Sequence, residues 1–228
     1  MTKSLEKHLA AAQHGFHLPP GAREIILLRH GATVAETTHT LPFGDLILNN
    51  PPLRPDGHAQ AQAAAARLRH EPITHIFVTN LQRTRQTAAP LASLTGLTPI
   101  EIPELHELHM GEWEHDFMQK AAAGHPLVRQ MLTEENWEVI PGTEPTSTFT
   151  ARIRAGIGKI TALMAENTTV VAIVHGGVIG KICQQATASR PFAFFAPENA
   201  SISRLIVNAD SHWSLRSYND TAHLSPRW

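Results

Sequence analysis

The residues best suited to chemistry are two histidines and three arginines, each of which closely follows a short apolar segment: Arg29 with His30, Arg83 with Arg85, and His175. An arginine guanidinium is planar and can bind two phosphate oxygens at once. Neighbouring cations lower the pKa of an imidazole and keep it neutral. A neutral histidine can attack phosphorus, while a second histidine and arginines stabilise charge on the transferring oxygens. These residue types therefore predict phosphoryl chemistry that requires no metal ion.

Three short apolar segments must position these side chains. Glu24–Leu28, Ile73–Val78 and Val170–Val174 are typical of strands that are buried on both faces. Alanine-rich stretches typical of helices lie between them, at 57–70, 81–94 and 149–165. This alternation predicts an α/β fold with a mostly parallel sheet. Because ligands bind beyond the carboxyl ends of parallel strands, the candidate residues should meet at one edge of that sheet.

Two parts of the chain depart from this alternation. Ile202–Val207 and Trp213–Tyr218 flank a turn-forming stretch and predict a closing hairpin. His39–Arg54 contains three prolines and two adjacent asparagines, which predict a loop. The segment is long for a structureless connection, and long loops of this kind are often functional.

The composition indicates a globular protein and narrows its partners. Of the 228 residues, 42% are hydrophobic and 17% are charged, and the formal net charge is −1. This balance argues against a general nucleic-acid or membrane-surface binder. The single cysteine, Cys183, excludes an internal disulfide, and no apolar segment suits a membrane span or a signal peptide, so we expect a cytoplasmic protein. We expect 1–22, with a short helix over Met1–Gly15, to be an extension ahead of one domain at 23–228.

Seven segments carry motifs that recur together, in order, in one protein family. They are Leu28–Thr33 (LRHGAT), Pro52–Ala61 (PLRPDGHAQA), Val78–Ala88, Leu105–Glu114 (LHELHMGEWE), Val174–Gly177 (VHGG), Glu198–Ile202, and Asn219-Asp220 with His223-Leu224. As a set they resemble the histidine phosphatase superfamily, which has the phosphoglycerate-mutase-like fold, and in particular its phosphatase branch. The resemblance covers about 24–224 and implies a three-layer sandwich with helices on both faces of the central sheet.

The resemblance assigns a role to five residues of the chain. In that family the first histidine is phosphorylated, which places the nucleophile on His30. The glutamate that protonates the leaving oxygen and then helps water to attack falls on Glu107. Arg29, Arg83 and His175 would bind the phosphoryl group. Glu107 is identified by the resemblance alone, and the resemblance implies neither a cofactor nor a metal ion.

Three positions depart from the family's pattern. Glu36 stands where the family often has asparagine, and a carboxylate there would repel phosphate unless it points away or meets a positively charged substrate group. Arg54 stands where threonine is expected, and it either contacts a second anionic group or faces water. His115 replaces a glycine that is common in the family. These departures affect the rim of the predicted pocket rather than its floor.

Histidine is abundant, with 15 residues, and this abundance raises the question of a metal site. His106, His109 and His115 form the densest group, but their spacing differs from that of the metal-binding His-Glu-x-x-His helix. No cysteine or pair of carboxylates completes a ligand set, so we expect no metal site. Trp113 and Trp137 either pack in the core or form a wall of the pocket.

Three functions are compatible with the sequence. The first is a metal-independent phosphatase of a small phosphomonoester, and the second is a phosphoglycerate mutase that uses the same phosphohistidine. The third is a non-catalytic phosphate-binding protein. The presence of a suitable residue at every expected catalytic position argues against this third function. The stretch Met110–Glu114 resembles the phosphatases and favours the first. We expect a small phosphorylated substrate, whose identity the sequence does not predict, and no nucleic-acid or membrane partner. A homodimer is one option for the oligomeric state.

Overall fold

The computed structural model describes residues 15–35 and 38–224. The helix predicted over Met1–Gly15 lies outside this range apart from Gly15, and Glu36 also lies outside it. The division of the chain into an extension at 1–22 and a domain at 23–228 stays a prediction. None of the helices in the described part is long and apolar enough to cross a membrane.

Strands and helices alternate through most of the described chain. The strands are β1 (Arg23–Arg29), β2 (Thr40–Phe43), β3 (Leu46–Asn49), β4 (Ile73–Val78), β5 (Ile100–Glu101), β6 (Thr169–Val174), β7 (Ile202–Val207) and β8 (Trp213–Asp220). The helices are α1 (Pro55–Leu68), α2 (Gln82–Thr95), α3 (Phe117–Ala122), α4 (Pro126–Glu134), α5 (Thr146–Leu163) and α6 (Gly176–Thr187). Short 3₁₀ helices lie at Pro103–Leu105, Gly111–Trp113 and Trp137–Val139. The three central strands and the three helices predicted between them are confirmed.

Six of these strands form one sheet, in the order β5-β4-β6-β1-β7-β8. The first four are parallel, whereas β7 pairs antiparallel with β1 and with β8. The predicted mostly parallel sheet and the predicted closing hairpin are therefore confirmed. Strand β6 lies between β4 and β1, so that Leu28 and Val78 both lie opposite Ile173. The carboxyl ends of the three central strands consequently meet at one edge.

The central strands separate two hydrophobic cores, because successive side chains of a strand point to opposite faces of the sheet. Ile25 and Leu27 pack in the core that contains residues of α5 and α6. Ile26 and Leu28 pack in the core that contains residues of α1 and α2. Each of these fully buried side chains contributes about 1.5–3 kcal/mol relative to an exposed one. Helices on both faces confirm the three-layer α/β sandwich.

The prediction of a loop over His39–Arg54 is wrong in part. This segment contains the hairpin formed by β2 and β3, in which Leu41 lies opposite Leu48. Leu48 is buried whereas the adjacent Ile47 is exposed, the alternation expected of a strand with one covered face. Each strand has only 4 residues, and β2 contains Pro42, a residue that sheets tolerate at edges. The hairpin is therefore too short and too rich in turn formers to give a clear pattern.

A third, smaller core lies next to α4 and the 3₁₀ helices Gly111–Trp113 and Trp137–Val139, with side chains of α3 packed against it. Its buried members are Trp113, Val128, Met131 and Ile140. Trp113 is 5% exposed and meets the ring of His125 edge-on, with the ring centroids 4.7 Å apart. Trp113 is thus a packing residue, whereas Trp137 lies against this core with its ring 5.1 Å from that of Phe192.

Candidate active site

The two histidines that follow β1 and β6 face each other at the carboxyl edge of the sheet. The strand register pairs Arg29 with Val174, and the backbone N–H of His30 donates to the carbonyl of Val174 at 3.0 Å. His175 is the residue that precedes α6. The ring centroids of His30 and His175 lie 5.2 Å apart, with the ring planes at 58°. Strand register therefore brings together two residues that are 145 positions apart in the sequence.

The protonation state of His30 follows from its contacts. The side chain is 7% exposed, and Nδ1 lies 2.8 Å from the carbonyl oxygen of Gly31. A carbonyl oxygen can only accept, so Nδ1 carries the proton and Nε2 keeps its lone pair. Burial lowers the pKa of His30 well below its usual value, and the charges of Arg83 and Arg29 lower it further. His30 is therefore a neutral imidazole with a nucleophilic Nε2.

His175 is held in the opposite tautomer. Arg83 donates from Nε to Nδ1 of His175 at 3.3 Å, so Nδ1 must be the acceptor. Nε2 then carries the proton and donates to Oγ1 of Thr79 at 3.0 Å. Burial lowers the pKa of His175 well below its usual value, and the charge of Arg83 adds to this effect. Thr79 was not among the predicted site residues, although its place directly after β4 is a signal that could have identified it.

Arg83 lies in the first turn of α2 and is 7% exposed. Its Nη1 donates to the carbonyl of Asn49 at 2.9 Å, which connects the guanidinium to the end of β3. Burial lowers the pKa of Arg83 to about 10, while the nearby carboxylates of Glu107 and Glu114 oppose that shift. The guanidinium consequently remains charged at neutral pH.

Arg29 contributes the second guanidinium. Its Nη1 donates to the carbonyl of Pro197, whereas its Nε is buried with no hydrogen-bond partner among the described residues. Burial lowers the pKa of Arg29, and Glu107 opposes the effect. The absence of a side chain at Gly176 makes room for this group, since a Cβ there would lie 3.3 Å from Nε. A buried, unpaired N–H on a cation is suited to an anionic ligand.

Glu107 lies on an irregular segment after the first 3₁₀ helix, and its carboxylate reaches the same edge of the sheet. Its Oε1 accepts from the backbone N–H of Leu108 at 2.9 Å, and Oε2 accepts from that of Gly177 at 3.1 Å. The second contact lies at the N-terminus of α6, where the helix dipole favours negative charge. A Cβ at Gly177 would lie 2.7 Å from Oε1, so a side chain at this position would displace the carboxylate. The carboxylate also lies near enough to Arg29 and Arg83 to oppose the lowering of their pKa values by burial.

The structure thus brings together all five residues to which the sequence assigned a role. Their roles in a reaction stay predictions. Other candidates lie elsewhere: Arg85 forms an exposed ion pair with Glu101 at 2.5 Å. Arg54 faces solvent and binds both carboxylate oxygens of Asp56 at 2.6 Å. Of the two alternatives for Arg54, the solvent-facing one describes this structure.

The histidine-rich stretch has structural contacts. Nδ1 of His106 donates to the carbonyl of Glu107 at 2.7 Å, and the side chain is 3% exposed. Burial, followed by the charge of Arg152, lowers the pKa of His106 to about 4. His109 accepts from the backbone and His115 is exposed. Within residues 15–35 and 38–224, no group of three or more histidine, cysteine, aspartate or glutamate side chains could hold a metal ion.

Two further motifs of the sequence shape the loop after His30. A Cβ at Gly57 would overlap the carbonyl oxygen of Ala32, and a Cβ at Gly31 would overlap that of Gly57. Gln60, one turn along α1, accepts from the backbone N–H of Ala32 at 2.8 Å. The Gly-x-x-Gln sequence therefore fixes the backbone directly after the histidine.

Glu114 is a second residue whose position in the site was not predicted. Its Oε1 accepts from the backbone N–H of Asn49 at 2.9 Å, and Oε2 accepts from that of Met110 at 2.8 Å. The same Asn49 receives the hydrogen bond of Arg83 through its carbonyl. Glu114 therefore connects the β2–β3 hairpin to the segment that follows Glu107.

Two neutral imidazoles, two guanidiniums and one carboxylate in this arrangement can stabilise and transfer a phosphoryl group.

Comparisons with known proteins identify the family of the chain. The family model of the histidine phosphatase superfamily (branch 1) matches residues 25–221. The chain is 30% identical over 208 residues to the probable phosphoglycerate mutase GpmB of Yersinia enterocolitica, covering 88% of this chain and 94% of that protein.

Solved structures share the fold. A phosphoglycerate mutase from Bacillus anthracis superposes with a TM-score of 0.74 at 21% identity, covering 90% of this chain and 96% of that one. A mycobacterial glucosyl-3-phosphoglycerate phosphatase superposes with a TM-score of 0.70 at 26% identity, covering 88% of this chain and 100% of that one. By its family match and by its fold, the chain belongs to the histidine phosphatase superfamily.

Proposed function

We propose that the protein is a metal-independent phosphatase that hydrolyses a small phosphomonoester through a phosphohistidine on His30. The observation that supports this most strongly is the state of His30: a buried, neutral imidazole whose Nδ1 is held by a carbonyl and whose Nε2 is free. A lone pair on Nε2 beside two guanidiniums is what attack on a phosphate requires.

In the first step, Nε2 of His30 bonds to phosphorus and the bond from phosphorus to the substrate oxygen breaks. Arg29, Arg83 and His175 stabilise charge on the three equatorial oxygens. Nε of Arg29 is a buried donor without a partner in the described residues, and it suits one of those oxygens. A proton held on Glu107 passes to the leaving oxygen, which departs as an alcohol.

In the second step, water attacks the phosphorus of phospho-His30. The carboxylate of Glu107 takes a proton from that water, the nitrogen–phosphorus bond breaks, and inorganic phosphate leaves. His30 regains its lone pair and Glu107 its proton, so the cycle closes with water as the acceptor of the phosphoryl group. The charge that a metal ion supplies in other phosphatases comes here from protein groups.

The second candidate is phosphoglycerate mutase, because relatives 30% identical to the chain carry that name. The two activities share phospho-His30 and differ in what receives the phosphoryl group. We favour hydrolysis because the stretch Met110–Glu114 resembles the phosphatases, and a solved neighbour at 26% identity is described as a phosphatase. Arg54, for which contact with a second anionic group was one of two alternatives, is paired with Asp56.

The experiment that tests this proposal is a panel of small phosphomonoesters, including 3-phosphoglycerate, assayed in EDTA for inorganic phosphate. A parallel assay measures formation of 2-phosphoglycerate. We expect phosphate release from at least one ester in EDTA and strong inhibition by vanadate, which adopts a five-coordinate geometry. His30→Gln should abolish the release, whereas the same substitution at the exposed His212 should not. Activity that is lost in EDTA and restored by a divalent cation would contradict the proposal, and efficient 2-phosphoglycerate formation would favour the mutase.

A further inference from the structure

Arg152, on α5, is the side chain that holds the segment carrying Glu107. It forms a two-fold ion pair with Glu144, with Nε to Oε1 at 2.7 Å and Nη2 to Oε2 at 2.8 Å. It also donates to three backbone carbonyls of that segment: Nη1 to Glu104 at 2.8 Å and to His106 at 2.7 Å, and Nη2 to Glu107 at 3.1 Å. The side chains of Arg152 and Glu144 are 12% and 9% exposed.

These five hydrogen bonds use every N–H of the guanidinium. An arginine has five such donors in a fixed plane, whereas a lysine has three donors around one point. The site therefore requires arginine: lysine at the same position could keep the charge but could not reach the carboxylate and three carbonyls together. Glu144 orients the guanidinium from the opposite side, since a bidentate carboxylate fixes the plane of the group.

The segment needs such support because it belongs to no strand or α-helix. After the 3₁₀ helix Pro103–Leu105, the backbone of His106 and Glu107 is irregular, so its carbonyls have no sheet or helix partners. Arg152 supplies a partner to each of these carbonyls, and Nδ1 of His106 supplies a second one to the carbonyl of Glu107. Beyond Glu107, the backbone N–H of Glu144 donates to the carbonyl of His109 at 3.0 Å. The pair thus fixes the chain both before and after Glu107.

We infer that Arg152, oriented by Glu144, is a positioning residue that places the carboxylate of Glu107 for proton transfer to the leaving oxygen. This inference rests on the proposed function, in which Glu107 is the acid. In the described residues, Arg152 donates a hydrogen bond to the backbone of Glu107 and to none of the groups that would bind phosphate. Its loss should therefore affect the step that needs a placed acid more than the step that needs only a nucleophile and cations.

Substrates with different leaving groups distinguish a loss of acid catalysis from a general loss of activity. An alkyl phosphate releases a poor leaving group and depends on the acid, whereas p-nitrophenyl phosphate releases a stable anion and does not. The measurement is the single-turnover rate of His30 phosphorylation with each ester, in the unmodified protein and in Arg152→Lys, Glu144→Gln and Glu107→Gln. Because misplacement of a catalytic group by about 1 Å can cost about 10²-fold, we expect Arg152→Lys to slow the alkyl ester by about 10²-fold and the aryl ester by less than about 3-fold.

The matched control is Arg204→Lys. Arg204 is also a partly buried arginine paired with carboxylates, donating to Glu24 at 3.1 Å and to Glu71 at 2.5 Å. These partners lie at the N-terminal ends of β1 and β4, whereas the candidate site lies at the carboxyl ends of the strands. The loss of Arg204 should affect stability in a similar way and should change the rates for the two esters equally. The double variant Glu107→Gln/Arg152→Lys should be no slower with the alkyl ester than Glu107→Gln alone, because both changes remove the same contribution.

The outcomes separate the inference from the proposed function. If Glu107→Gln slows both esters equally, Glu107 is not the acid and the proposed role of that residue fails. If Glu107→Gln discriminates between the esters but Arg152→Lys slows both equally, the inference about Arg152 is overturned. If Arg152→Lys does not fold, Glu144→Gln decides by the same criterion, because glutamine keeps one acceptor for the guanidinium.

Discussion

His30 and His175 lie with their ring centroids 5.2 Å apart, and their contacts hold them in opposite tautomers. The carbonyl of Gly31 accepts a hydrogen bond from Nδ1–H of His30, while an arginine donates to Nδ1 of His175 and leaves its Nε2 as a donor. One ring can therefore act as a nucleophile and the other as a hydrogen-bond donor in the same pocket. The difference between the two tautomers follows from the group next to each Nδ1, which is a carbonyl at His30 and an arginine at His175.

The first prediction concerns the protonation of His30. Burial and two arginines disfavour the charged imidazole, so the pKa of His30 lies well below the usual value of about 6.5. Two-dimensional NMR, with His30 assigned by comparison with His30→Gln, should detect no protonation of this ring between pH 8 and pH 6. A chemical-shift step centred near pH 6.5 would contradict the electrostatic description of the site.

The second prediction concerns the pH dependence of stability. The pKa of His106 is about 4 in the folded protein, and about 6.5 is usual for an unfolded chain. Between these two pH values the unfolded state binds a proton at His106 and the folded state does not. The free energy of unfolding therefore decreases as the pH falls from about 6.5 towards 4.

Chemical denaturation at pH 7 and pH 5 measures this effect. The free energy of unfolding should decrease from pH 7 to pH 5 in the unmodified protein. In His106→Gln this decrease should be smaller by about 2 kcal/mol. The same substitution at the exposed His212 should leave the fall unchanged. An identical fall in all three proteins would mean that His106 titrates normally.

The third prediction concerns the contact between Gly57 and the loop after His30. Gly57→Ala forces a methyl group against the backbone carbonyl of Ala32, which cannot move away as a flexible side chain can. We expect the free energy of unfolding to fall by about 1–3 kcal/mol, together with a loss of phosphate release. Gly158→Ala is the control, because a Cβ there meets nothing within 4 Å in the middle of α5, and stability should rise by about 0.5–1 kcal/mol. Equal effects at the two glycines would contradict the packing argument.

The fourth prediction concerns the second half of the reaction. If Glu107 takes the proton of the attacking water, Glu107→Gln should still be phosphorylated by p-nitrophenyl phosphate but should release phosphate slowly. Stopped-flow absorbance should then record a burst of p-nitrophenol close to one equivalent, followed by turnover slower by about 10²–10⁴-fold. Steady turnover without a burst in the variant would argue against this role. Glu112 and Glu114 would be the next residues to substitute.

Much of the site was predictable because it depends on short-range patterns. Three apolar segments determined which residues stand at the ends of β1, β4 and β6, and the rule for parallel sheets placed His30 and His175 at one edge. Glu107 was different: it lies on an irregular segment without periodicity, and only the resemblance to a family identified it.

The remaining features depend on contacts between residues distant in sequence. The hydrogen bond from His175 to Thr79 joins residues that are 96 positions apart, and Arg152 reaches carbonyls 45 to 48 positions away. No local pattern marks an arginine that will bind backbone rather than phosphate. The β2–β3 hairpin escaped prediction for a different reason, because its strands are shorter than the window over which alternation is recognised.

The most direct test of the central claim is to trap the phosphorylated protein. Rapid quench with a ³²P-labelled substrate should give a protein-bound label that is labile in acid and stable in alkali, as expected of a phosphohistidine, and peptide mapping should place it on His30. His30→Gln should trap no label, and His212→Gln should trap as much as the unmodified protein. A label that persists in His30→Gln, or turnover with no acid-labile phosphoprotein at any time point, would contradict a mechanism based on His30.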